Sequence, residues 1–187
     1  MPPPVRTTRD TWIEAGLALL AADGPDAVRV EVLAQRLGVT RGGFYRQFGG
    51  RRELIDAMLD TWERRSIDEV QARVESEGGD ARSKVRRAGM LTFSAELLPL
   101  DLAVRDWARR DVEVAARLRR VDNRRMDYLR DLIATISDDA GDVEARAMLA
   151  FSLVIGNHLI AAEHPGRPRD RVVRDAARLL LGEMTPM

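Results

Sequence analysis

Thr40, Arg41, Gly42, Tyr45, Arg46 and Gln47, followed by Arg51, place hydrogen-bond donors and one bare glycine along a short stretch of chain. Arg41 and Arg46 can give paired hydrogen bonds to guanine O6 and N7, or charge-assisted bonds to phosphate. Gln47 can pair with adenine N6 and N7. The hydroxyls of Thr40 and Tyr45 suit phosphate oxygens, contacts that fix register without reading sequence. Gly42 admits a close approach of backbone to a partner. Arg51 stands where a further helix begins, and its charge and the free amides there favour phosphate. Duplex DNA is the partner this set of groups suits.

Two short helices must carry these side chains. Val30, Leu33, Ala34 and Leu37 share one helical face by their three-four spacing. Gly38 can end that helix in a left-handed cap, and Thr40 can cap a second through its hydroxyl. The second helix turns Phe44 and Phe48 inward, against Trp12, Leu33 and Leu37. A leading helix through Trp12, Leu17 and Leu20 stops at Asp23-Gly24-Pro25. Two helices around a glycine turn, the second offering donors, describe a helix-turn-helix.

In this order the stretch resembles the DNA-binding half of the tetracycline-repressor (TetR) family. The resemblance rests on the helix that ends in the Asp-Gly turn, on LAQRLGVTRGGFYRQF, and on a basic residue before Glu53-Leu54. It spans residues 7 to 66, about a third of the chain. Gly43 departs from the family pattern, where many relatives carry Ser, Thr or Asn, and so do Arg46-Gln47, where relatives often carry Tyr or His pairs. The resemblance implies an all-α protein with a DNA-binding domain at 7–66, its helix-turn-helix near 29–48, and a ligand-binding and dimerisation domain at 67–187. It further implies a homodimeric regulator, most simply a repressor, that binds a palindromic operator and leaves it when a small-molecule effector binds. Met90, Phe93, Trp107, Met126, Phe151, Asn157 and His158 lie on the helices that wall the pocket in similar proteins. An architectural or cell-division DNA-binding protein on the same scaffold is the alternative.

Composition narrows the other classes. The chain has 187 residues, no cysteine, and 30 basic against 30 acidic residues. Disulfide scaffolds and thiolate chemistry are thereby excluded. Residues 1 to 52 carry a balance of +3 and the remainder −3, a modest positive end that suits phosphate. Two histidines, no phosphate-binding loop and no metal-ligand spacing argue against an enzyme, a cofactor or a metal site. The N-terminus MPPPVRTTRD lacks the apolar core of a signal peptide. The most apolar run, 147–162, is broken by Ser152, Asn157 and His158 and falls short of the roughly 20 residues a bilayer span needs. A cytoplasmic protein without membrane attachment is expected.

Downstream the pattern predicts helices only. Pro2–Pro4 should form an extended arm. Helices are expected near 51–76, 80–98, 99–107, 111–136, 143–162 and 168–183, giving nine with those of the head. Asp80 can cap the helix after Gly78-Gly79, and 137–142 should be a loop. The penultimate helix is apolar around most of its circumference, which requires burial on more than one side. The last has its own stripe of Val172, Val173, Ala176, Leu179 and Leu180. Both suit a four-helix interface made by two helices from each of two chains. Asn157 and His158 inside that apolar helix need polar partners, from an effector or from the dimer interface.

Overall fold

In the computed structural model, which describes residues 7–182, every regular element is helical. The arm expected at Pro2–Pro4 lies outside the described residues. The order is α1 (Arg9–Asp23), α2 (Val30–Leu37), α3 (Arg41–Tyr45), α4 (Arg51–Arg64), α5 (Val70–Glu77), α6 (Ala81–Thr92), α7 (Leu98–Ala108), α8 (Val112–Ile133), α9 (Ala140–Leu159) and α10 (Arg169–Leu181). A π turn at Arg65–Glu69 joins α4 and α5 into one helical path. With that path taken as one, the described residues hold the nine helices the sequence predicts.

Local chemistry accounts for most boundaries. Thr8 caps α1 by accepting from the Thr11 amide, and Asp80 caps α6 by accepting from Ser83. Gly38 ends α2 in the left-handed region, at φ 67°. Three boundaries differ from expectation. Helix α3 is only Arg41–Tyr45, because Gly42 and Gly43 are poor helix formers; helical bonding nonetheless reaches Phe48, whose amide donates to the Phe44 carbonyl at 3.0 Å. Helix α6 stops at Thr92 rather than near Leu98, since Phe93 leaves helical geometry and buries its ring. Helix α9 starts at Ala140, inside the expected loop, because the Asp139 carboxylate accepts from the Asp142 amide at 2.7 Å.

The chain forms two compact units. The first comprises residues up to Asp68 together with Ala95–Val121. Its core includes Trp12, Leu20, Leu33, Phe44, Phe48, Leu54, Met58 and Trp62, each worth about 1.5–3 kcal/mol on full burial of its apolar surface. Gly16 lets α1 lie directly on Met58 of α4, where a Cβ would come within 2.5 Å of the Met58 sulfur. On the outer side Arg117 of α8 ties to α4 through Asp60 at 2.6 Å and Glu63 at 2.7 Å. The second unit comprises Glu69–Ser94 and residues from Asp122 onward. Val85, Met126, Leu129, Leu132, Ile133, Ala147, Ala150 and Leu181 make its core.

The helical path 51–77 has a particular periodicity. Met58, Trp62, Ser66, Val70 and Val74 are all buried and recur strictly every four residues. In an uninterrupted α-helix each such step drifts by about 40°. The π turn holds one residue more than an α turn, and it falls in the middle of this series, where it offsets part of the drift.

Candidate nucleic-acid interface

The recognition element is built from its inner side outward. Phe44 and Phe48 stack at 5.3 Å between ring centroids, and Trp12 meets Phe44 edge-on at 5.4 Å. These rings are fully or almost fully buried and hold α3 against α1. Its opposite side is left to polar groups, and Thr40, Arg41, Gly42, Tyr45 and Arg46 are all exposed.

Their present partners separate them. Arg46 has no hydrogen-bond or ion-pair partner among the described residues. Tyr45 is 61% exposed and its ring packs edge-on against Phe44, leaving the hydroxyl outermost. Thr40 stands at the N-cap of α3, but its hydroxyl makes no capping bond, contrary to the expectation for it. Arg41 pairs with Glu31 of α2 at 3.3 Å. That carboxyl is held below the usual glutamate range, first by a hydrogen bond from its own backbone amide and then by Arg41. Gln47 is half-buried, and its side chain donates to the Thr7 carbonyl at 3.4 Å. The Arg51 guanidinium donates to the carbonyls of Val28 at 2.6 Å and Pro25 at 2.8 Å. Arg51 therefore holds the turn before α2 to the start of α4, a structural task the sequence did not disclose.

A second tie was not visible in the sequence. Arg9 donates to the Gln47 carbonyl at 2.6 Å and to Glu53 at 2.8 Å, and its guanidinium lies 4.2 Å over the Phe48 ring. Glu53 in turn accepts the Gly49 amide at 2.7 Å. That amide, and secondarily Arg9, hold the Glu53 carboxyl below its usual range. The exit of the recognition helix is thus clamped between α1 and α4.

Gly42 and Gly43 have negative φ, so helical backbone here demands no glycine. Each costs a helix about 1 kcal/mol relative to alanine.

The residues assigned by resemblance to an effector pocket fall in both units, Trp107 in the first and the other six in the second. Trp107 packs against the core of the first unit. Met90, in the second, is 68% exposed. Met126 belongs to the second unit's core, with Phe151 packed against it. Phe93 gathers the others: Phe151 lies at 6.4 Å, His158 stacks at 5.8 Å, and the buried Arg125 guanidinium lies 5.7 Å from its ring centroid. Asn157 serves the chain's own architecture. Its side-chain oxygen accepts from Arg169 at 3.0 Å, and the same guanidinium also binds the carbonyls of Asn157, Ile160 and Ala162. Arg169 thereby satisfies the open carbonyls at the end of α9 and staples α9 to α10.

Residues 13–58 match the family model described as bacterial regulatory proteins of the tetR family. No curated protein matches the chain in sequence. Among solved structures, a protein of Rhodococcus sp. described as a TetR-family transcriptional regulator is 26% identical, with a TM-score of 0.62 over 93% of this chain and 94% of that one. A protein of Saccharomonospora viridis, described as a transcriptional regulator and solved in complex with choline, superposes at TM-score 0.75 with 17% identity, over 92% and 94% of the two chains. The ketosteroid transcriptional regulator KstR2 of Mycobacterium tuberculosis gives 0.64 at 18% identity, over 96% and 97%. The matched segment covers the whole of α2, the turn and α3, the elements that display the free donors, so residues 13–58 are a DNA-binding helix-turn-helix of the tetR type, set in a chain with the fold of TetR-family transcriptional regulators.

Proposed function

We propose that this protein is a repressor that binds a palindromic operator as a homodimer and is released by a small organic effector. The carrying observation is the division of α3 into a fully packed aromatic side and a side on which Arg46, Tyr45 and Thr40 keep their donors open. Arg41 exchanges Glu31 for DNA on docking, and Gln47 and Arg51 border the contact; the domain at 7–66 supplies the heads and 67–187 the rest.

Dimerisation finds support in α9 and α10. Only Ala147 and Ala150 of α9 and Leu181 of α10 are buried within one chain. Met148, Leu149 and Leu159 remain more than half exposed, and Leu179 is 82% exposed. Such a face on paired helices suits a second copy of itself. Two heads related by a dyad then enter grooves about 34 Å apart. The effector binds in the second unit beside Phe93, whose ring, Phe151 and His158 offer an apolar and aromatic wall. The choline complex of one fold relative makes a small organic molecule a reasonable class. Its effect requires different affinities for the DNA-bound and free states.

Selection of duplexes from a random library by the full-length protein tests the reading. An inverted repeat whose binding weakens steeply with salt is expected. A selected site without dyad symmetry, or affinity indifferent to salt, would overturn it. Many dispersed chromosomal sites, rather than one or a few at promoters, would favour the architectural alternative.

A further inference from the structure

The two adjacent glycines of α3 differ in what surrounds them. A Cβ built on Gly43 would point to the body of the head and rest 3.8 Å from Trp12 Cζ2, an ordinary contact. A Cβ built on Gly42 would meet only the Thr40 hydroxyl, at 3.7 Å, and otherwise stand in solvent. Neither residue has the positive φ that would require glycine. Alanine therefore fits both positions in the isolated chain and should strengthen the helix at both. Nothing within the described residues accounts for the bare backbone at Gly42.

That position lies one residue after Arg41 and on the exposed side that carries Tyr45 and Arg46. We infer that Gly42 is a specificity-determining residue by what it lacks. In the complex the α3 backbone at 42 sits against the edge of a base pair, closer than any side chain would allow. The missing methyl sets how deep α3 enters the groove, and so whether Arg46 and Tyr45 reach their partners. Gly43 has no such part, because its Cα–H faces Trp12. The inference rests on the DNA-binding reading above and assigns unequal roles to two neighbours of identical type.

Gly42→Ala and Gly43→Ala separate the two. Duplexes selected by the wild-type protein from a random library serve as the probe. Both variants should melt higher than wild type, by about 1–4 °C. Gly42→Ala should bind the selected duplex at least roughly tenfold more weakly, while Gly43→Ala should stay within about threefold of wild type. Reselection with Gly42→Ala should return a different consensus at the base pair beneath α3. Higher melting with unchanged affinity and consensus for Gly42→Ala would overturn the inference, as would equal losses in the two variants. A wild-type protein that selects no duplex would instead overturn the DNA-binding reading itself.

Discussion

Arg46 and Arg51 are the same residue type at nearby positions, and their surroundings give them opposite tasks. Among the described residues the Arg46 guanidinium has no partner, whereas that of Arg51 is engaged by the Val28 and Pro25 carbonyls. Arg46→Ala should therefore weaken DNA binding and lower the salt slope by about 1, with stability unchanged. Arg51→Ala should lose roughly 1–2 kcal/mol of stability, seen in urea unfolding without DNA. Glu53 provides a pH test. Its carboxyl is depressed by the Gly49 amide and Arg9, so its contribution is complete above the unfolded value and fades as pH falls through the lower folded one. Unfolding between about pH 3 and 6 should show a shallower acid slope for Glu53→Gln than for wild type. At this scale residue type was legible and engagement was not. The donors of α3 could be named from their spacing, but Arg9 meets partners 38 and 44 positions away, and no local pattern announces such a pairing.

Helix α3 is the shortest in the head, and its placement depends on neighbours more than on its own propensity. Phe44 and Phe48 anchor it to α1, and the close approach of α1 to α4 at Gly16 fixes the frame beneath. Gly16→Val should push against Met58 and cost about 1–3 kcal/mol, read by denaturant unfolding. In the second unit Arg169 closes the α9–α10 hairpin. Arg169→Ala would leave the terminal carbonyls of α9 without that donor and should lower the melting temperature by several degrees, on the order of 1–3 kcal/mol. Caps and stops were readable at Gly38, Asp80 and Asp23-Gly24 because each acts within a few residues. The end of α6 was not, since it is set by burial of Phe93, a tertiary event. Asn157 showed the same limit: its need for a polar partner was plain, while the identity of that partner, Arg169, depended on how the following loop folds back.

For the molecule as a whole, the proposed dimer places assembly on the apolar sides of α9 and α10. Leu149→Glu should give a monomer by sedimentation, with DNA affinity reduced by roughly a hundredfold through loss of the second head. The helical class and the head were legible because periodicity and the matched motif are local. The composition of the two units was not, since the first draws on Ala95–Val121 from the middle of the chain. The π turn at 65–69 bears on how such a chain can change in length. Insertions in the turn at 94–97 or at Gly78-Gly79 alter only a connection. Loss of one residue from 65–69 would restore plain α pitch, and because the π turn holds one residue more than an α turn, the four that remain cover nearly the same rotation and leave Val70 and Val74 on their buried faces. A single in-frame codon deletion within 65–69 should therefore cost far less stability in denaturant unfolding than one in the middle of the uninterrupted α8, where every later residue of the helix would turn by about 100°.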